Sequence, residues 1–169
     1  MNKYLILFTE LSLSVFATRD WHPANHCSFV EQGGPWPPHC VAGTPGAAFV
    51  QELLLPAAVP IISKAVTPEK ESYSDFADTD LDKQLHSLGI KRLFIGGLVT
   101  DYCVLSTVLD GLRNGYTVFL LLDAILAVDV KPGDGEPGDR GNEAARGRTF
   151  NLCHGCLPDG DRYSATYVR

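Results

Sequence analysis

The residues best able to do chemistry in this chain sit where apolar runs end. Cys103 follows Leu93, Phe94 and Ile95 and the pair Gly96-Gly97. Thr100 and Asp101 are helix-capping types, and Val104, Leu105, Val108, Leu109 and Leu112 recur at helical spacing before Asn114-Gly115. A strand thus leads through a tight turn into a helix whose first turn holds Cys103. There free amide N–H groups and the positive end of the helix dipole favour a thiolate, and a nucleophile facing amide donors suits acyl transfer. An ordinary buried cysteine is the competing reading. Asp20 and His22 are two apart and share one face of extended backbone; His26 and His39 lie on the loop that follows. One carboxylate with two or three imidazoles suits Zn²⁺, Mn²⁺ or Fe²⁺. Lys64 closes an apolar strand, where its ammonium either reaches water or supplies fixed positive charge. Beside a cysteine it would lower the thiol pKa. Trp36, held between Gly34-Pro35 and Pro37-Pro38, is either a stacking wall for a flat ring or an anchor for its loop. Glu69, Glu71 and Asp75 read as solvated loop charges.

The elements that must position these groups alternate in type. Residues 2–13 read as a helix with Tyr4, Leu5, Phe8 and Leu11 on one side, 14–18 as a strand, and 23–46 as a long Gly/Pro-rich loop of the kind usually tied to function. A helix over 46–55 stopped by Pro56, a strand over 59–64, a helix over 79–88, the central strand and helix, and a strand over 117–122 ending at Asp123 complete the pattern. Strands alternating with helices imply a mainly parallel sheet covered on both faces, a three-layer α/β/α arrangement. Its site lies outside the carboxyl ends of the strands, where Asp20, His22, Lys64, Cys103 and Asp123 are expected to converge. From Lys131 onward large apolar residues are few and periodicity is lost, which reads as loop or disorder. Cys153 and Cys156 there have half of a zinc-site spacing but no second ligand pair.

At 169 residues the chain is long enough for one domain with a real core. A net charge of −6 argues against nucleic acid as a partner, and no apolar run is long enough to span a membrane. Lys3 and the apolar stretch after it look like a signal peptide, but Glu10 interrupts that stretch and the cleavage site is poor. Five irregularly spaced cysteines fit a reducing compartment, hence the cytoplasm.

The motifs RDWHP at 19–23, WPPHC at 36–40, the Lys64 strand followed by SYSDF at 72–76, and GGLVTDYC at 96–103 together resemble the nicotinamidase branch of the isochorismatase-like cysteine hydrolases. The resemblance covers about residues 2–136 and implies a Rossmann-like α/β hydrolase domain over 1–136. It implies hydrolysis of nicotinamide, a small amide, to nicotinate and ammonia through a cysteine thioester, with self-association of the chain left open. Asp20, His22 and His39 match metal ligands, His26 a position that joins them in some members, and the metal is one divalent ion, zinc first. Lys64 and Cys103 match two members of an Asp-Lys-Cys triad. Trp36 and Tyr73 match positions lining the nicotinamide pocket. The Leu98–Val99 bond matches a cis peptide that turns the amides of Val99 and Cys103 toward an oxyanion.

Two departures temper this. The family begins with a strand ending in the triad aspartate, whereas this chain opens at what matches the following helix. Glu10 is no substitute, because about four residues cannot make the crossover of a dozen or more that a parallel neighbour needs. The first strand is therefore expected to be missing from the middle of the sheet, leaving exposed edges, a marginal fold and impaired activity. Residues 137–169 are expected to be a divergent, disordered and dispensable tail. A non-catalytic metal- or pyridine-binding remnant, or a related cysteine hydrolase acting on another small amide, are the alternatives.

Overall fold

The computed structural model describes residues 1–128, 148–149 and 163–168. Helix α1 (Asn2–Glu10) leads into β1 (Ser14–Asp20), followed after the long loop by β2 (Ile61–Lys64). Helix α2 (Leu81–Ser87), β3 (Arg92–Leu98), a π-helical turn (Thr100–Val104), α3 (Leu105–Arg113) and β4 (Thr117–Leu126) come next. Strands β5 (Arg148–Thr149) and β6 (Tyr163–Val168) follow. The six strands form one sheet in the order β2-β1-β6-β3-β4-β5, with every neighbouring pair parallel.

Alternation along the strands sorts the core into two faces. Val15, Phe94, Phe119 and Leu121 pack on one face against Tyr4, Leu5 and Phe8 of α1. Phe16, Ile62, Leu93, Ile95 and Val118 pack on the other against Leu81 and Leu85 of α2 and Val104 and Val108 at α3. This is the expected three-layer arrangement. Among the described residues no helix is long and apolar enough to cross a membrane.

Three expectations need correction. The central gap is filled: β6 pairs with β1 from Ser14↔Ser164 to Ala17↔Tyr167 and with β3 from Arg92↔Tyr163 to Gly97↔Val168. A stretch read as disordered tail thus lies between the strands that carry Asp20 and lead to Cys103. The half-zinc spacing at 153–156 lies outside the described residues. Second, the helix over 46–55 is only the single 3₁₀ turn Pro45–Ala47. Leu53 and Leu55 pack toward α1 while Leu54 is exposed, and the Leu53 and Leu55 N–H groups donate to the Val50 and Leu53 carbonyls (3.1 and 2.9 Å) in tight turns instead of a helical ladder. The Asn2 side chain holds this segment, donating to the Glu52 carbonyl (2.7 Å) and accepting from the Leu54 N–H (3.1 Å). Third, β4 runs past Asp123, whose carboxylate takes Lys3 and the Tyr4 hydroxyl of α1 as partners. Asp123 therefore faces the opposite layer from Cys103.

Candidate active site

The loop after β1 is shaped around Phe29, which is fully buried. The rings of His22, His26 and His39 surround it at centroid distances of 5.6, 5.8 and 5.5 Å. Two short bridges draw the loop back onto itself. The His22 N–H donates to the Cys40 carbonyl (3.0 Å) and the Ala42 N–H to the His22 carbonyl (2.8 Å). The Trp36 N–H donates to Ser28 (2.9 Å) and the Val30 N–H to Trp36 (2.7 Å). Gly34 permits the second crossing, since a Cβ there would lie 2.1 Å from the Ser28 backbone.

Asp20, His22 and His39 each bring one potential ligand atom within 4.8 Å of the others. The Nδ1 atoms of His22 and His39 are placed against the carbonyls of Ala65 (3.3 Å) and Pro37 (2.8 Å). Each ring is thereby oriented with Nε2 left for a cation. Burial lowers the His22 pKa against the opposing pull of Asp20, favouring the neutral, ligating imidazole. A carboxylate and two such imidazoles fit a divalent metal. His26 is not part of this group. Its Nδ1 takes the Ser28 N–H (3.3 Å) and contacts the Ser28 hydroxyl (2.7 Å), and its Nε2 lies 3.1 Å from the Lys70 carbonyl. Nδ1 accepts and Nε2–H donates, so both nitrogens are engaged and His26 supports the His22 ring by stacking at 4.2 Å.

Lys64 ends β2 almost fully buried, and its ammonium is shared among the Asp20 carboxylate, the Ser72 carbonyl (3.1 Å) and Cys103 Sγ (3.4 Å). Burial opposes the Lys64 charge, but Asp20, Cys103 and Asp75 outweigh it and its pKa is raised. Cys103 lies in the π-helical turn ahead of α3, after a cis Leu98–Val99 bond. Burial pushes its thiol up to about 12, and the pull of Lys64 only partly offsets this. Burial of the sulfur thus works against the thiolate expected at a helix terminus, and the adjacent Lys64 ammonium works for it.

Asp75, read as a solvated charge, is fully buried. The Thr18 hydroxyl donates to its Oδ2 (2.8 Å), its own N–H donates to the Thr107 hydroxyl (3.0 Å), and Oδ1 has no hydrogen-bond partner among the described residues. Burial raises the carboxyl to about 7, against the pull of Lys64 and Thr18. An acid held neutral in the fold but ionised when unfolded costs stability as pH rises. The loss begins above the unfolded value near 3.8 and levels off above about 7. Asp75→Asn removes it. The stability difference between variant and parent is expected to grow in the variant's favour between pH 4 and 7, at up to about 1.4 kcal/mol per pH unit. Urea melts at both ends of that range measure it; an equal difference at both would show that Asp75 is ionised in the fold.

An aromatic wall stands beside these groups. Trp36 Nε1–H donates to the Tyr73 hydroxyl (3.0 Å), and Tyr102 packs edge-on to Trp36 (5.0 Å) and tilted against Tyr73 (5.4 Å). Tyr102 was not singled out by sequence reasoning, although its place directly before Cys103 was available as a signal.

The Isochorismatase domain model matches residues 2–135. The nicotinamidase of Escherichia coli (strain K12) is 38% identical over 142 residues, covering 72% of this chain and 67% of its own length. The nicotinamidase of Acinetobacter baylyi is 34% identical over 139 residues, covering 69% and 65%. The chain thus spans about two thirds of the length of these relatives. Among solved structures, the pyrazinamidase of Pyrococcus horikoshii in complex with zinc has a TM-score of 0.81 at 49% identity, covering 89% of this chain and 82% of that one. PnC1 from L. infantum in complex with nicotinate has a TM-score of 0.66 at 45% identity, covering 70% and 62%.

Proposed function

The chain belongs to the isochorismatase family, and from that premise we propose that it is a nicotinamidase-type amidohydrolase, converting nicotinamide to nicotinate and ammonia. The observation that carries this reading is Lys64 Nζ within 3.4 Å of Cys103 Sγ, at a strand edge shared with the Asp20–His22–His39 group. Those three residues would hold a divalent metal, and the zinc complex of the Pyrococcus horikoshii pyrazinamidase supports zinc first. Such an ion supplies an electrophilic anchor for the pyridine nitrogen.

The remaining work falls to the chain's own groups. Trp36, with Tyr73 and Tyr102, flanks a flat ring. Cys103 Sγ attacks the carboxamide carbon as its proton passes to the amide nitrogen, with Lys64 stabilising the charge that develops on sulfur. The amides of Val99 and Cys103 receive the oxyanion. The C–N bond breaks and the amide nitrogen leaves as ammonia carrying the former thiol proton; water then adds to the thioester, the C–S bond breaks, one water proton returns to sulfur and the other goes to solvent as nicotinate is freed. Among the described residues Cys27, Cys40 and Cys103 form no disulfide, which supports a reducing, cytoplasmic setting.

Ammonia release from nicotinamide by the purified chain tests the reading. A second reading rests on β6, which brings no carboxylate to the centre of the sheet: metal and pyridine are bound without turnover. Nicotinate binding with no ammonia release would favour it.

About one divalent metal per chain is expected, falling well below that in His39→Ala. Elemental analysis of both proteins checks this; equal content would remove His39 from the ligand set.

A further inference from the structure

We propose that Asp75 is a positioning residue for this hydrolysis, setting from beneath the charge that Cys103 experiences beside Lys64. The proposal rests on the amidohydrolase reading for its role, but not for its test.

The placement is specific. Thr18, which bonds the carboxyl, is two residues before Asp20 on β1, so the two side chains share one face of the sheet. Thr107, which accepts from the Asp75 N–H, lies four residues after Cys103, one helical turn along. Ser72, three residues before Asp75, takes the Lys64 ammonium on its carbonyl. Residues 72–75 therefore wrap beneath the Lys64–Cys103 pair and are fastened to β1, β2 and α3.

Among the described residues few titratable groups face this pocket. Asp20 comes from β1, Lys64 from β2, Cys103 from the π-helical turn, and Tyr73 from the same loop as Asp75. Lys64 is the one cation among them. Asp75 and Cys103 act on it in the same sense and on each other in the opposite sense: each favours the ammonium, and a charged Asp75 raises the Cys103 thiol further. An uncharged Asp75 leaves the Lys64 charge to Cys103. An ionised one competes for it. The bare Oδ1 fits this role: among the described residues it has no hydrogen-bond partner, so a full charge there rests mainly on Lys64 and the Thr18 bond to Oδ2.

The test follows Cys103 itself. The full chain, Asp75→Asn and Asp75→Ala are alkylated with iodoacetamide from about pH 6 to 10, where thiolate fraction governs the rate. Peptide mapping isolates Cys103 from the other four thiols. Both variants are expected to label Cys103 about tenfold faster than the parent between about pH 8 and 10, where the parent's Asp75 is ionised, and at the same rate near pH 6, where it is not. Cys27 and Cys40 should be unchanged. Thr18→Val, which withdraws the hydroxyl donor and favours the uncharged carboxyl, should raise the rate in the same direction and serves if either Asp75 variant fails to fold. An unchanged rate at about pH 8 to 10 in the folded variants overturns the proposal, and so does an increase confined to Asp75→Ala, which would report packing alone. Ammonia release by the parent chain is scored separately, so failure of the amidase reading is distinguishable from failure of this one.

Discussion

Cys103→Ala is expected to abolish ammonia release from nicotinamide, a loss of at least about 10⁴-fold, because members of a nucleophilic unit fail together when one is removed. The variant should otherwise resemble the parent. Cys103 contributes only a small side chain to a core whose larger members, among them Leu81, Leu85, Leu93 and Ile95, are untouched, and its sulfur is not in the Asp20–His22–His39 group. Metal content and melting temperature are therefore controls that must stay nearly constant. Retained turnover within tenfold of the parent, with those controls intact, would show that another group attacks the amide. Lys64→Ala is a less clean alternative, because it also strips Asp20 of its ion-pair partner and leaves buried charge uncompensated.

The second large effect concerns stability. Ending the chain after Gly160 removes β6, which bridges β1 and β3 in the interior of the sheet. The ladders along Ser14–Ala17 and Arg92–Gly97 would lose their partners. Each buried backbone group left unpaired costs about 1–3 kcal/mol, against a total domain stability of only about 5–15 kcal/mol. Loss of the cooperative melting transition is expected, with the protein eluting as aggregate in size-exclusion chromatography. A truncated chain that melts near the parent temperature would mean that another segment occupies the slot.

That expectation reverses what the sequence suggests for the same residues, and the reason is instructive. Strands β1, β3 and β4 announce themselves by runs such as Val15-Phe16-Ala17, Leu93-Phe94-Ile95 and Val118-Phe119-Leu120. Residues 163–168 mix Tyr, Thr and Val with Ser and Ala, a strand-compatible composition with too little apolar bulk to stand out from the polar residues before it. Asp75 reads as a solvated charge for a related reason. Its neighbours Glu69, Lys70, Glu71 and Asp78 are polar, while its burial depends on Thr18 and Thr107, remote in sequence. The groups at strand ends were legible because polarity changes abruptly there: Asp20 and His22 after β1, Lys64 closing β2 and Cys103 after β3. Asp123 shows the limit of that logic. A polar residue in the middle of a strand imitates an end when a lysine and a tyrosine from the opposite layer wait for it.

The position of β6 also bears on how the chain reaches its native state. Ser14 pairs with Ser164 and Arg92 with Tyr163, so the middle of the sheet is built from contacts distant in sequence. Such topologies fold slowly, because loop-closure entropy is lost before the pairing that rewards it forms. During synthesis β1 to β4 emerge first and must wait, with two strand edges open, until Tyr163–Val168 clears the ribosome. Chaperone capture of the nascent chain and sensitivity to translation speed follow from this arrangement. Expression at lower temperature, which slows the bimolecular loss of the waiting species, should favour the soluble form.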